Sequence, residues 1–150
     1  MAAYRHFKNK EDLLQNIAAQ GFEQLTQQLL EVKFENLQEK LVEQGVSFVR
    51  FANDNPQHYQ LMFSSSELGE WSDALSQISQ IALSVMSETV AELIKQESKQ
   101  DTLDAMQITL ICWSNVHGVA EFFSTGKVPS SFNYEEFTRS SCTYLVRGIF

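Results

Sequence analysis

Residues 101–126, DTLDAMQITLICWSNVHGVAEFFSTG, constrain the fold of this chain more than any other stretch. Asp101 or Thr102 can cap the start of a helix here, and Gly126, followed by Pro129, provides a stop signal. Apolar residues recur at helical spacing and also fill most of the remaining circumference, so we expect this helix to lie between other elements. Polar residues interrupt the apolar run, which argues against a membrane-spanning helix.

Gly118 is an unusual residue for the middle of such a helix. A glycine there costs about 1 kcal/mol relative to alanine, so some contact should offset the loss. Ser114 lies one turn earlier on the same side, and two small residues at that spacing let another helix approach closely. The approaching helix could belong to the same subunit, as tight internal packing, or to a second subunit. The pattern leaves both interpretations open.

The composition fits one helical domain with a substantial core. The 150 residues are 43% hydrophobic and include 11 phenylalanines, but only two prolines and six glycines. That balance excludes a disordered chain and favours long helices over many turns. The net charge is −8, yet residues 1–10 hold three basic residues and no acidic one, which leaves −11 on the remainder. The body should therefore repel nucleic acid, whereas the N-terminus could touch phosphate.

Six segments show helical periodicity, and no segment shows the alternation of a strand. Asn9 can cap the first helix, with Asp12 placed to return a hydrogen bond, and Pro56 can occupy the first position of the third helix. The sequence therefore predicts a single all-α domain of about six helices. The predicted helices are residues 10–32, 35–53, 56–63, 71–96, 101–126 and 134–150.

Motifs for catalysis, metal binding and secretion are missing from the sequence. Cys112 and Cys142 lie in apolar helical patterns without the spacing of a metal site, so we expect two buried, reduced thiols and no metal. There is no phosphate-cradling glycine loop and no nucleophile motif, so we expect neither an enzyme nor a cofactor. The N-terminus has no apolar signal-peptide core, which predicts a cytoplasmic location and no membrane partner.

The aromatic residues of the middle helices could line a pocket for a small molecule. Such pockets combine apolar walls with a few polar groups. His117 is the best single candidate, because it follows Trp113 by one turn in an apolar helix and can donate, accept or titrate. For each candidate taken singly, an ordinary core position is the commoner alternative. The candidates are Phe48, Phe51, Tyr59, Met62, Phe63, Ile78, Met86, Trp113 and His117.

Three stretches resemble the TetR family of bacterial transcriptional regulators. Tyr-Arg-His-Phe at 4–7, followed by Lys-Glu-x-Leu-Leu at 10–14, is similar to the end of that family's recognition helix and the opening of its next helix. The segment FVRFANDNPQHYQLMF at 48–63, and Trp113 followed by His117-Gly118, are similar to a subgroup with a Trp…His-Gly in its C-terminal domain. The resemblance spans essentially the whole chain.

The resemblance implies a remnant of the helix-turn-helix DNA-binding head at residues 1–10 and a TetR-like C-terminal domain at residues 11–150. Tyr4 and Lys10 would contact DNA phosphate; alternatively Tyr4 belongs to the core and Lys10 is a solvated charge at a helix end. The middle helices would bind a small apolar or aromatic effector, as in a ligand-responsive repressor. The last two helices would form a homodimer, with interface residues Ser114, Gly118, Glu121, Ser141, Tyr144, Leu145 and Gly148.

The family pattern is incomplete at the N-terminus. A full member has two helices and most of a third before the tyrosine, whereas this sequence begins Met1-Ala2-Ala3. Operator DNA would be bound only if those helices are present. We hypothesise that the sequence is a fragment beginning at an internal Met. The alternative is a helical dimerisation or small-molecule-sensing module that does not bind DNA, either as it stands or paired with a complete paralogue.

Overall fold

A computed structural model describes residues 7–64, 66–126 and 128–150 of the chain, with the side chain of residue 64 left out. Every regular element in these residues is helical, which confirms the predicted all-α fold of six helices. A short 3₁₀ turn, Ser66–Leu68, follows the third helix. The helices are α1 (Lys10–Glu31), α2 (Leu37–Asp54), α3 (Pro56–Ser64), α4 (Asp73–Gln96), α5 (Ala105–Ser124) and α6 (Tyr134–Ile149).

Short polar side chains start five of these helices. Asn9, Asn36, Ser72, Asp104 and Asn133 each accept a hydrogen bond from a backbone N–H in the first turn. Each cap satisfies a donor that the helix itself leaves unpaired, and each contributes about 1 kcal/mol. The cap predicted for the first helix is therefore confirmed, and Pro56 begins α3 as predicted.

The start of α5 differs from the prediction. Ser98, just after α4, has a φ of 53°, in the left-handed region that ends helices. The Thr102 N–H then donates to the Lys99 carbonyl at 3.0 Å, so this segment forms turns instead of the first turn of α5. Asp104 caps the helix, and the prediction of Asp101 or Thr102 as the cap is wrong.

The second helix, α2, is the centre of the bundle and contacts all five other helices. Phe48 and Phe51 on α2 are fully buried. A Cβ on Gly45 would lie 3.2 Å from Val116 Cγ1 on α5 and closer still to Cys142 Sγ on α6. Glycine at this position therefore lets α5 and α6 approach α2 closely, which the larger side chain of any other residue would prevent.

The helix α5 is buried on one side only. Val116 is buried, as is Cys112, in the packing with α2, α4 and α6. On the opposite side Leu110 is 48% exposed and Phe122 is 59% exposed. The helix does lie between other elements, as predicted, since it packs against α2, α4 and α6, but its outer side is exposed in a single chain. Its apolar circumference is wider than the surface that one subunit covers.

Gln44 is a polar residue inside the apolar core. Its side chain is fully buried, and neither Nε2 nor Oε1 has a hydrogen-bond partner among the described residues. A buried amide group without a partner costs about 1–3 kcal/mol, because it has lost its hydrogen bonds to water. This position on α2 therefore lowers the stability of the bundle.

Both cysteines are buried and free of disulfide bonds, as predicted. Burial raises the pKa of Cys112 to about 11 and that of Cys142 to about 12, so both remain thiols at neutral pH. In the part of the chain that the structure describes, no helix combines the length and apolar character needed to cross a membrane.

Candidate functional site

Five rings from three helices meet in the core and form what we term the aromatic cluster: Phe48 on α2, Tyr59 and Phe63 on α3, and Trp113 and His117 on α5. Neighbouring ring centroids are 4.5–6.4 Å apart, mostly in edge-to-face or tilted arrangements. Such pairs are favourable because the positive edge of one ring meets the negative face of the next. The pairs Tyr59/Phe63 and Trp113/His117 are each one helical turn apart, which places both members on one face.

A hydrogen bond of 2.8 Å joins the Tyr59 hydroxyl to His117 Nδ1 inside the cluster. Burial lowers the pKa of His117 to about 4, so the imidazole is neutral at neutral pH. Burial, followed by the Glu121 carboxylate, raises the pKa of Tyr59 to about 12. Both partners are therefore uncharged, and the phenol can donate to Nδ1 in the tautomer that carries its proton on Nε2.

A cavity of about 550 Å³ lies beside the cluster, where the end of α2, the start of α3, the end of α5 and the start of α6 come together. We term it the Tyr59 cavity. Its volume falls in the range typical of small-molecule sites. Its lining residues are Val49, Ala52, Asn53, Pro56, Tyr59, Gln60, Ala120, Glu121, Phe123, Ser124 and Tyr134.

A second cavity, of about 200 Å³, is lined by other members of the same cluster, Phe63 and Trp113. Phe22, Trp71, Leu83 and Leu110 complete its apolar walls, and Ser79 and Gln80 of α4 add polar groups. The aromatic cluster therefore contributes walls to both cavities. A ligand in either cavity would contact rings that pack on His117.

The predicted pocket residues separate into three groups. Tyr59, Phe63 and Trp113 line the cavities, while Phe48 and His117 complete the cluster around them. Met86 borders a void of only about 10 Å³, which holds at most a single water. The remaining three, Phe51, Met62 and Ile78, pack in or against the core and line neither cavity.

Several cavity residues escaped the sequence analysis. Phe123 and Tyr134 face the Tyr59 cavity from the two ends of the α5–α6 connection, and Asn53 and Gln60 face it from α2 and α3. Glu121 was placed in the dimer interface, yet it also lines this cavity. A signal for this role was present, since Glu121 follows His117 by one helical turn.

The proposed interface residues lie together on the outer side of α5 and α6. Ser114, Gly118, Glu121, Tyr144 and Gly148 are exposed. Ser141 and Leu145 are half-buried beside them, and the Ser141 hydroxyl donates to Asn115 on α5 at 2.8 Å. We term this surface the α5–α6 face, defined by Ser114, Gly118, Phe122, Ser141, Tyr144, Leu145 and Gly148.

The surroundings of Gly118 bear on the first of its two interpretations, tight packing within one subunit. Apart from the chain neighbours and the nearby backbone of α5 itself, no heavy atom of the described residues lies within 4 Å of the position that a Cβ would occupy there, and the same is true of Gly148 on α6. Tight packing within one subunit therefore does not explain Gly118. Contact with a second subunit stays a prediction.

The N-terminal phosphate site is only partly described. Tyr4 lies outside the described residues. Lys10, the first residue of α1, places its ammonium 3.0 Å from the Glu67 carboxylate, with 71% of its side chain exposed. An exposed ion pair of this kind contributes about 0–1 kcal/mol. Among the described residues, no group of three or more His, Cys, Asp or Glu side chains could hold a metal ion.

The fold defines the class of this protein: a six-helix domain built around a central helix, with cavities between the helices that are partly walled by aromatic rings. Residues 41–144 match the family described as "Tetracyclin repressor-like, C-terminal domain", and the chain belongs to that family. No curated protein sequence matches the chain.

Two solved structures share this fold. A protein of unknown function from Rhodococcus sp. RHA1 superimposes with a TM-score of 0.85 at 19% identity, over 96% of this chain and 75% of that one. A proposed regulatory protein, SCO4313, superimposes with a TM-score of 0.73 at 18% identity, over 95% of this chain and 76% of that one. At these identities the similarity is one of fold.

Proposed function

We propose that this chain is the effector-binding and dimerisation part of a ligand-responsive transcriptional regulator. One observation carries the proposal: neighbouring residues of α5 lie in two different surroundings. Trp113 and His117 enter the aromatic cluster, whereas Ser114 and Gly118, the residues that follow them, lie on the exposed α5–α6 face. A ligand that displaces the cluster would therefore move a helix that also forms the subunit contact.

The α5–α6 face has the properties of a subunit interface. It combines small residues, which allow helices to approach closely, with the exposed apolar rings of Phe122 (59%) and Tyr144 (75%). An exposed apolar surface rimmed by polar residues commonly marks a contact with another protein. We propose a homodimer in which α5 and α6 of one protomer pack against α5 and α6 of its partner.

The regulatory mechanism would be a shift between two arrangements of the dimer. An effector in the Tyr59 cavity contacts α5 and α6 near their joining segment, so it can favour one packing of these helices over another. The shift is limited by the difference in the effector's affinity for the two arrangements. The proposal includes no catalytic step and no cofactor.

We propose DNA binding only for a polypeptide that also carries a helix-turn-helix. In that polypeptide Tyr4 and Lys10 would contact DNA phosphate, and the regulator would act in the cytoplasm. The alternative is a sensing module that does not touch DNA, and the Lys10–Glu67 ion pair fits it, since it gives Lys10 a partner within the chain. The intact mass of the protein made from its own chromosomal locus separates the two. A mass several kilodaltons above 17.1 kDa supports the regulator, and 17.1 kDa supports the module.

The homodimer is tested by sedimentation velocity at micromolar concentration. The wild-type chain should sediment as a species of twice 17.1 kDa. Gly118→Leu should weaken the dimer by roughly tenfold or more, because each subunit inserts a side chain where the partner helix lies. The control Gln24→Leu places the same side chain on an exposed position of α1 and should leave the dimer intact. A monomeric wild type would contradict the proposal, as would a dimer that tolerates Gly118→Leu.

A further inference from the structure

The Tyr59 cavity has an unbalanced charge. Among the described residues that line it, Glu121 is the one with a formal charge, and none is a lysine, arginine or histidine. The remaining polar lining comes from the amides of Asn53 and Gln60, the hydroxyl of Ser124 and two phenols. The described part of this wall offers hydrogen-bond donors and acceptors and one negative charge, and none of its described side chains carries a positive charge that would neutralise an anion.

Aromatic rings form the other distinctive part of the wall. Phe123 and Tyr134 meet with their centroids 6.3 Å apart and their planes at 67°, which makes an aromatic corner, and Tyr59 supplies a third ring. The faces of aromatic rings attract cations that come within about 6 Å of the centroid. Two rings at a wide angle can offer such contacts to one ammonium group.

Two carboxylates and one cation lie near Tyr134, at the edge of the cavity. Burial, then the carboxylates of Glu135 and Asp54, raises the pKa of Tyr134. The neighbouring cation, Arg50, is already held by Glu135, with its Nε 2.7 Å from the carboxylate. The positive charge close to the cavity is therefore committed to a partner at the protein surface.

We propose that the Tyr59 cavity binds an organic cation, a tertiary or quaternary ammonium with an apolar or aromatic body, whose charge lies between Glu121 and the rings of Tyr59, Phe123 and Tyr134. The volume of about 550 Å³ exceeds that of an ammonium head alone, so the body of the ligand fills the remainder. This inference rests on the proposed function, because it assigns a chemical class to the effector of that site. A cation bound here would also contact a member of the aromatic cluster, because the Tyr59 hydroxyl is hydrogen-bonded to His117 Nδ1.

Isothermal titration calorimetry of the full chain with matched probes tests the inference. Phenyltrimethylammonium carries the charge, tert-butylbenzene has nearly the same shape without it, and benzoate reverses its sign. We expect the cation to bind most tightly of the three. Glu121→Gln should weaken its binding by roughly tenfold while leaving tert-butylbenzene unaffected. Glu92→Gln, an exposed charge removal on α4, should change neither.

A second pair of variants tests the aromatic contact. Tyr134→Phe keeps the ring face and should retain the cation affinity, whereas Tyr134→Leu should lower it by roughly fivefold. The inference is overturned if phenyltrimethylammonium fails to bind, if tert-butylbenzene or benzoate binds as tightly, or if Glu121→Gln has no effect. Binding of a neutral or anionic probe in this cavity would leave the proposed function standing with another class of effector. Failure of the dimer experiment would overturn the proposed function independently of these titrations.

Discussion

Acidification should destabilise this fold through His117, because the folded chain resists protonation of a ring packed among Phe48, Phe63 and Trp113. The ordinary pKa of a histidine side chain is 6.5, and burial lowers that of His117 to about 4. Between these two values the unfolded chain binds a proton that the folded chain does not. The free energy of unfolding therefore falls as the pH drops through this window, and the contribution is fully present only above pH 6.5.

The size of the effect follows from the two pKa values. Each tenfold difference in proton affinity corresponds to about 1.4 kcal/mol. The loss should reach about 2 kcal/mol near pH 5 and about 3 kcal/mol below pH 4. This is a large share of the stability of a typical domain.

Urea unfolding at a series of pH values, followed by far-UV circular dichroism, measures the effect. Acidic side chains also titrate in this range, so the informative quantity is the difference between wild type and His117→Asn, whose amide can still accept from Tyr59. As the pH falls from 6.5, the free energy of unfolding of the wild type should decrease relative to that of His117→Asn, by about 2 kcal/mol near pH 5 and about 3 kcal/mol below pH 4. His58→Asn, a histidine replacement outside the cluster, should retain the wild-type pH dependence. The reasoning is wrong if wild type and His117→Asn lose stability in parallel between pH 6.5 and pH 4.

Three further substitutions test the core. Gly45→Ala should destabilise the chain by about 1–3 kcal/mol in thermal unfolding, because the added methyl group would collide with Cys142 Sγ; an unchanged melting temperature would contradict this close approach. Gln44→Met should raise the free energy of unfolding in urea by about 1–3 kcal/mol, because it removes two buried polar atoms without partners. A loss of stability would show that the amide has a partner. Tyr59→Phe should lower the free energy of unfolding in urea by about 1–2 kcal/mol, because it leaves His117 Nδ1 buried without its hydrogen bond. A variant as stable as the wild type would show that this hydrogen bond contributes nothing.

Local patterns were sufficient to predict the helices. Caps such as Asn9 and the helix-starting Pro56 act within one turn of the chain, so their effect is visible in the sequence. The start of α5 was missed because Asp101, Thr102 and Asp104 can all cap a helix, and the turn in which the Thr102 N–H donates to the Lys99 carbonyl leaves this role to Asp104. Part of the aromatic cluster was also predictable, since helical spacing placed Trp113 and His117 on one face.

The cavity itself could not be predicted from helical spacing. Its walls come from four helix ends that meet in space but are separated in the sequence, such as Asn53 on α2 and Tyr134 on α6. Fully buried Phe51 and half-buried Phe63 have the same chemistry, and only the packing of neighbouring helices decides which of them borders open space. Burial of α5 was overestimated for a related reason, because an apolar pattern does not state whether its cover comes from the same subunit.

The central position of α2 has a consequence for how the chain is made. Helices from both ends of the chain pack on α2, and α6, the most C-terminal of the six, is one of them. While the ribosome is still extending the chain, the side of α2 that α6 covers near Gly45 is open, and its apolar surface can contact other nascent chains. Production of this protein should therefore depend on protection of the growing chain, and a pause in translation before Tyr134 would be the stage most exposed to aggregation.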